Sequence, residues 1–383
     1  MLPLLRCRSM SALTLDCRVE PSKVPVKPVG VAVVGAGYWG PNLARNILAC
    51  PQADLRWVCD LDRSLARRAV GRRSTVRVTD DLDDLLDDRR VEAVAVATPA
   101  WTHFEVALRC LEAGKHVLVE KPLASSLADG EKIVAAAERR DLVVMCDHTY
   151  CYTPAVRRLR EVILAGELGA IQYFDSVRIN LGLVQPDVDI FWDLATHDLA
   201  ILDFILPEGC VPLAVGAQGA DPIGIGHACV GYLTLPLTGG AVAHVHVNWL
   251  SPTKIRTTIV GGSRRIAVWD DTNPAQRLSM YDKGVDLTGL TGTQVRREAL
   301  VSYRIGDMTA PALPEVEGLA GVVRELVAAI RERRTPLTDG QSGLRVLRIL
   351  NTIPRSLAAG GALIALDAGE RRAPPTLAGR RPT

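Results

Sequence analysis

From Val29 onward, short β-branched runs alternate along the chain with segments whose apolar positions recur at helical spacing. The runs Val29–Val34, Leu55–Cys59, Thr75–Val78, Ala93–Ala97, His116–Val119 and Leu142–Cys146 predict strands. Between them, Gly40–Ala49, Leu61–Val70, Asp80–Asp88, Thr102–Ala113 and Leu127–Arg140 predict helices. Continuously apolar strands separated by helices predict a parallel sheet covered on both faces. In the acidic run Asp80–Asp88, Leu82, Leu85 and Leu86 keep helical spacing, so its carboxylates are expected on a solvated helix face.

Beyond Asp147 the rhythm changes. A helix over Pro154–Ala165 ends at Gly166 and leads to a strand over Ile171–Leu181, and a second helix is predicted over Asp193–Ile205. Strands then follow one another at Leu213–Ala217, Ala228–Leu235, Ala241–Leu250, Ile255–Val260 and Arg265–Trp269, a pattern of hairpins without crossover helices. Two late helices, Val316–Arg333 and Gly340–Ala358, close the regular part. The expected fold class is α/β, with an N-terminal Rossmann domain and a C-terminal α+β domain built on a large, mostly antiparallel open sheet. The expected boundaries are an irregular extension over 1–28, the Rossmann domain over 29–148, the substrate domain over 149–368 and a disordered tail over 369–383. Pro21, Pro25 and Pro28 keep the approach to the first strand extended, and Arg6 and Arg8 interrupt the apolar stretch a signal peptide would need.

Composition narrows the function classes. The 383 residues suffice for two domains, and a formal net charge of +2 gives no reason to invoke nucleic acid or an anionic membrane surface. No apolar run reaches bilayer length. The nine cysteines are scattered and never spaced C-x-x-C, which favours reduced thiols in a cytoplasmic protein over a disulfide framework or a zinc site. Cys59, Cys110 and Cys146 lie inside apolar stretches and are expected as small core residues.

The chemistry begins at Gly35-Ala-Gly37-Tyr38-Trp39-Gly40, a G-x-G-x-x-G turn between a strand and a helix. Gly35 permits the tight turn, Gly37 lets the backbone approach a pyrophosphate, and Gly40 lets helix and strand pack closely. Asp60 follows the second strand, where its carboxylate can accept hydrogen bonds from ribose hydroxyls and repel a 2′-phosphate. NAD is therefore expected over NADP, with Arg63 leaving some room for the phosphorylated coenzyme. His244, His246 and Asn248 share one strand face but have no third ligand type nearby. They are expected as sheet-face residues, with no metal.

Four segments together resemble the glucose–fructose oxidoreductase/inositol dehydrogenase (Gfo/Idh/MocA) family: Gly35–Gly40, Ala97-Thr-Pro-Ala-Trp-Thr-His103, Glu120-Lys-Pro122 and Trp192-Asp-Leu-Ala-Thr-His197. The likeness runs from about Val29 to the last helix. It implies that Tyr38, Trp39, Thr98 and Pro99 line the coenzyme cleft, and that Glu120 approaches the nicotinamide-side ribose. It also implies a usually cis Lys–Pro peptide, with Lys121 touching both that ribose and the reacting hydroxyl. A lysine at the carboxyl end of a parallel strand can polarise a carbonyl or relay a proton. Asp193 and His197 lie four apart on a predicted helix and so share a face. A neutral histidine suits removal of a hydroxyl proton. The expected roles are His197 as general base, Lys121 as electrostatic partner, and Asp193 as orienter of the imidazole or ligand of a neighbouring hydroxyl. His103 is read either as lining the cleft or as a capping and packing residue.

The second half looks closest to the branch of that family that oxidises nucleotide-linked sugars at C3. The likeness lies in His148–Arg157, Ser176–Gly182 and Trp249–Arg256. It implies that Arg178, Asn180 and Lys254 contact sugar or phosphate, with Lys254 equally readable as a surface residue. Many relatives carry arginine where Cys151 stands, so substrate details do not transfer wholesale. The expected activity is NAD-dependent oxidation of a UDP-glucose- or UDP-hexosaminuronate-type sugar to its 3-keto form, feeding a pyridoxal-phosphate aminotransferase in 3-amino-sugar synthesis. The alternatives are reduction of a 3-keto deoxysugar nucleotide, oxidation of inositol or another polyol, and, in a different class, a non-catalytic sugar- or NAD-sensing regulator. A homodimer or homotetramer is expected.

Overall fold

The computed structural model describes residues 27–73, 75–288 and 300–366; the expected tail, and nearly all of the expected extension, lie outside them. The first sheet has six parallel strands, β1 (Val29–Val34), β2 (Ala53–Cys59), β3 (Arg77–Thr79), β4 (Ala93–Val96), β5 (His116–Glu120) and β6 (Val144–Asp147), in the order β3-β2-β1-β4-β5-β6. Helices α1 (Gly40–Ala49), α2 (Arg63–Val70), α3 (Leu82–Leu86), α4 (His103–Glu112) and α5 (Leu127–Glu138) connect the strands. All residues of β1, β4 and β6 are buried, as expected for strands covered on both faces. The strand order reverses between β1 and β4, which opens a crevice at their carboxyl ends. Cys59, Cys110 and Cys146 are core residues.

The second sheet is built from β7 (Ile171–Leu181), β8 (Ala214–Ala220), β9 (Val230–Pro236), β10 (Val242–Asn248), β11 (Leu250–Gly262), β12 (Ile266–Asp270), β13 (Leu278–Thr288), β14 (Leu300–Thr309) and β15 (Ile364–Ala365). Its order is β14-β13-β12-β11-β7-β10-β9-β8-β15, antiparallel except between β7 and β10. Helices α6 (Pro154–Leu164) and α7 (Thr196–Ile205) pack beside it. The last two helices, α8 (Gly318–Glu332) and α9 (Gly340–Ala358), return to the first sheet. There α8 packs on α1, with Arg45 forked onto Glu317 at 2.7 and 2.8 Å, and α9 packs on α5 and β6. Thr338, between α8 and α9, accepts a backbone bond from Cys146 and donates its hydroxyl to the carbonyl of the same residue.

Three expectations are corrected. Pro252 marks a break in the sequence, yet Leu250–Gly262 is one strand whose register slips between Leu250 and Ile255. β13 and β14 were not foreseen; Val285, Tyr303, Ile305 and Met308 are exposed there, so this end of the sheet, with β14 at its edge, adds little to the core. The helix expected over Asp193–Ile205 is α-helical only from Thr196. Phe191–Ala195 form a π-turn, with Asp189 accepting the backbone N–H groups of Phe191 and Trp192.

One buried ion pair joins α7 to the second sheet. Arg178 on β7 donates Nε and Nη2 to the carboxylate of Asp198 at 2.9 and 3.0 Å, with 3% and 1% of the two side chains exposed. Ser176 adds a hydroxyl bond to the same carboxylate. Burial alone would lower the guanidinium pKa, but Asp198 more than offsets this and raises it. Removing one member of such a pair strands the other charge away from water. Asp198→Ala is therefore expected to cost about 3–5 kcal/mol in urea unfolding; a loss below about 1 kcal/mol would contradict this placement.

Candidate active site

The glycine turn tests whether a dinucleotide fits. Gly35 has φ +93°, and a Cβ there would stand 2.6 Å from the Ala97 carbonyl; a Cβ on Gly40 would stand 1.9 Å from the Gly35 carbonyl oxygen. Those two glycines are required by the protein's own packing. Gly37 differs, because a Cβ there meets nothing within 4 Å. Its bare backbone faces open space, as a turn built to admit a pyrophosphate requires. α1 starts directly after this turn with no side-chain cap; Pro41 has no N–H, and the N–H groups of Asn42 and Leu43 bond the Trp39 carbonyl, so the turn itself is the part open to an anion.

Asp60 follows β2 and accepts the Ala36 N–H at 2.6 Å and the Asp62 N–H at 2.8 Å, which holds the carboxylate beside the turn. Arg63 reaches Asp80 at 3.7 Å and the Val78 carbonyl at 3.4 Å, so the cation that left room for NADP is engaged elsewhere. Tyr38 is exposed and stacks on Trp39, whose indole N–H points to Asp147. Thr98 and Pro99 follow β4. The Thr98 hydroxyl accepts from Thr102, and its carbonyl lies 2.9 Å from His103 Nε2. His103 Nδ1 lies 2.8 Å from the Pro122 carbonyl, so this buried ring ties the two turns that carry Thr98 and Lys121.

At the end of β5, Glu120 accepts the Lys121 N–H at 2.8 Å, and the Lys121–Pro122 peptide is cis. Lys121 Nζ donates to the Asp193 carbonyl at 2.9 Å and to its carboxylate at 3.3 Å. The other Asp193 oxygen accepts the Trp249 indole N–H at 3.1 Å. The structure therefore corrects the expected pairing of Asp193 with His197. Asp193 sits in the π-turn, where the spacing of a regular helix does not apply, and its carboxylate holds Lys121. His197 Nδ1 has no hydrogen-bond partner among the described residues, and its ring stands edge-on to Tyr150 with centroids 5.0 Å apart. Burial, then the charges of Lys121, Arg178 and Arg256, drives the His197 pKa well below the usual imidazole value. The imidazole is neutral at physiological pH.

Of the three residues expected to meet substrate, Arg178 is corrected: its guanidinium is spent on Asp198 and stacks over the Tyr150 ring at 4.4 Å. Asn180 is half-buried farther along β7 and Lys254 is exposed on the irregular stretch of β11. Asp203 pairs with Arg345. His244 lies 3.2 Å from Asp175, His246 stacks on Tyr232, and no cluster of three metal-ligating side chains occurs among the described residues. No described helix is long and apolar enough to cross a membrane.

Sequence reasoning missed Asp147, Tyr150, Trp249 and Arg256. Asp147 ends β6 as Glu120 ends β5, so the rule that singled out Glu120 could have found it. The Tyr150 hydroxyl accepts from Arg256 Nη1 at 2.9 Å, and Arg256 Nε is buried without a partner among the described residues. Only the folded contact reveals that pair.

Comparison with known proteins agrees with this geometry. Residues 29–148 match the model of an oxidoreductase family with an NAD-binding Rossmann fold. The UDP-N-acetylglucosamine 3-dehydrogenase of Acidithiobacillus ferrooxidans is 30% identical over 319 residues, covering 82% of this chain and 93% of that protein. Its solved structure superposes with a TM-score of 0.72 at 26% identity, over 86% of this chain and 98% of that one. GenD2 from gentamicin A biosynthesis, solved in complex with NAD, gives a TM-score of 0.74 at 26% identity, over 91% and 99% of the two chains. The inositol 2-dehydrogenase of Rubrobacter xylanophilus is 28% identical over 371 residues, covering 91% of this chain and 95% of that protein.

Two glycine variants separate folding from coenzyme binding. Gly37→Val is expected to melt within about 2 °C of the parent while its NAD dissociation constant rises roughly tenfold or more, or about 1.4 kcal/mol. Gly40→Ala is expected to lower the melting temperature, because its Cβ collides with backbone. Unchanged NAD affinity in Gly37→Val, measured by calorimetry, would refute this reading of the turn.

Proposed function

Since the chain belongs to the Gfo/Idh/MocA oxidoreductase family and binds NAD, we propose that it oxidises the C3 hydroxyl of a nucleotide-linked sugar to a ketone. The observation that carries this reading is the reach of Lys121 from the coenzyme-binding sheet to Asp193, four residues before a neutral His197. Likeness to a UDP-N-acetylglucosamine 3-dehydrogenase over most of both chains supports the substrate class.

Gly35, Gly37 and Gly40 would hold the pyrophosphate, with Tyr38 and Trp39 beside it, and Asp60 the adenosine ribose. Thr98, Pro99, Glu120 and Lys121 would border the nicotinamide. Bound NAD supplies a hydride acceptor. The chain must then take the hydroxyl proton and stabilise negative charge growing on the carbinol oxygen. Neutral His197 takes the proton. The Lys121 ammonium, aimed by both Asp193 oxygen contacts, stabilises the oxygen and later the ketone. Asp193 is thus the positioning residue of Lys121 rather than of His197. Lys254, exposed on β11, would offer positive charge to the nucleotide diphosphate and Asn180 a polar group to the sugar, whereas the Arg256 guanidinium is shared between the Tyr150 hydroxyl and Asp271. The 3-keto product is an electrophile suited to a pyridoxal-phosphate aminotransferase, and self-association as a dimer or tetramer fits this reading.

The activity test follows reduced-nicotinamide absorbance with a panel of nucleotide sugars. Turnover of UDP-hexoses supports the proposal, whereas turnover of free inositol or glucose with every nucleotide sugar inert would reject it. Lys121→Ala is expected to keep NAD binding while turnover falls about 10²–10⁴-fold. The pH dependence has a definite sign. Protonation of His197 removes the base, and its depressed pKa puts that loss below the ordinary imidazole value of ~6.5. The acid limb of kcat/KM is therefore expected beneath that pH, and to vanish in His197→Ala. A limb at or above it would contradict the role.

A further inference from the structure

Beside the glycine turn lie two carboxyl groups that the mechanism above does not use as a pair. Glu120 and Asp147 are register partners at the ends of the neighbouring parallel strands β5 and β6, which puts the two carboxyl groups side by side on one face of the sheet. No N–H or hydroxyl group among the described residues reaches Glu120 Oε1, which is buried. Its Oε2 accepts the Lys121 N–H. Asp147 is 1% exposed and accepts the Thr149 hydroxyl at 2.7 Å on one oxygen and the Trp39 indole N–H at 3.4 Å on the other. Two facing carboxylates would repel and leave Oε1 unpaired; one proton between them cures both defects.

We propose that Glu120 and Asp147 share a single proton, carried by Glu120 Oε1 as a neutral acid and donated to the Asp147 carboxylate. Asp147 is then a positioning residue. It gathers the Trp39 indole from the glycine turn, the Thr149 hydroxyl from the start of the second half, and the Glu120 acid that holds the Lys121 backbone. One contact chain thus links the pyrophosphate turn to the lysine of the catalytic centre. The neutral acid also removes an anion that would compete with Asp193 for the Lys121 ammonium.

The surrounding titratable groups agree. Burial, then Asp147, raises the Glu120 pKa well above the carboxylate range, and Lys121 opposes the shift too weakly to reverse it. Burial raises Asp147 as well; both Asp147 oxygens already accept a donor whereas Glu120 Oε1 has none among the described residues, which places the proton on Glu120. Cys146 and Cys151, driven up by burial, stay thiols, and Tyr152 stays a phenol. His148, pushed down to about 3 by burial, then by Lys121 and Arg345, adds no positive charge.

Infrared difference spectroscopy of the full-length, coenzyme-free protein at neutral pH reads this directly, without depending on any substrate assignment. The spectra compared are those of the parent, Glu120→Gln and Asp147→Asn. The parent is expected to show the carbonyl stretch of a protonated carboxylic acid that is absent from both variants. In Asp147→Asn the amide donates to Glu120, which then ionises. Each variant is nearly isosteric, so if one fails to fold the other carries the test. A band that persists in Glu120→Gln would show that Glu120 is not the acid. A band that persists in Asp147→Asn would show that Asp147 does not hold the proton there. Either result overturns the proposal.

Discussion

An ammonium group can serve a reacting oxygen only if something else fixes where it points. Here that constraint is the contact between Lys121 and Asp193, which crosses from the end of a parallel strand to a π-turn in the second half of the chain. Everything around it keeps those two ends in place. The Asp193 carboxylate is anchored from behind by the Trp249 indole, its turn by Asp189, and the Lys121 peptide by Glu120 and, through Pro122, by His103. The chain's return through α8 and α9 braces the same seam, since Thr338 is stitched to Cys146 one residue before Asp147. The end of the first sheet and the second half of the chain therefore meet at a set of polar contacts rather than at a single lysine.

The electrostatics of the seam follow from the same packing. Lys121, Arg178 and Arg256 bring positive charge around His197, and burial adds to their effect, so the ring stays uncharged. Arg178 is neutralised by Asp198 and serves as a platform under Tyr150. Tyr150 touches the imidazole with its ring edge and accepts from Arg256 with its hydroxyl, and Arg256 is in turn paired with Asp271.

The coenzyme half was legible in the sequence because its signals are local. β1 and α1 fall on their expected boundaries, and the three glycines occupy one turn whose requirements are written within Gly35–Gly40, with Asp60 following the next strand. The large open sheet was also legible from its run of strands. What escaped depends on contacts distant in sequence or on departures from regular geometry. A π-turn has no distinctive spacing, so Asp193 was assigned to the wrong partner. The resemblance that offered Arg178 to the substrate could not say that Asp198 would claim it. β13 and β14 have apolar side chains in solvent and add little to the core.

A crystal structure of the protein with NADH and a UDP-hexose bound tests the central claim most directly. The account predicts Lys121 Nζ and a ring nitrogen of His197 within hydrogen-bonding reach, about 2.6–3.2 Å, of the same C3 oxygen. The Lys121–Asp193 contact should remain intact. A sugar whose reactive carbon lies against the nicotinamide while the two side chains face different cavities would contradict it.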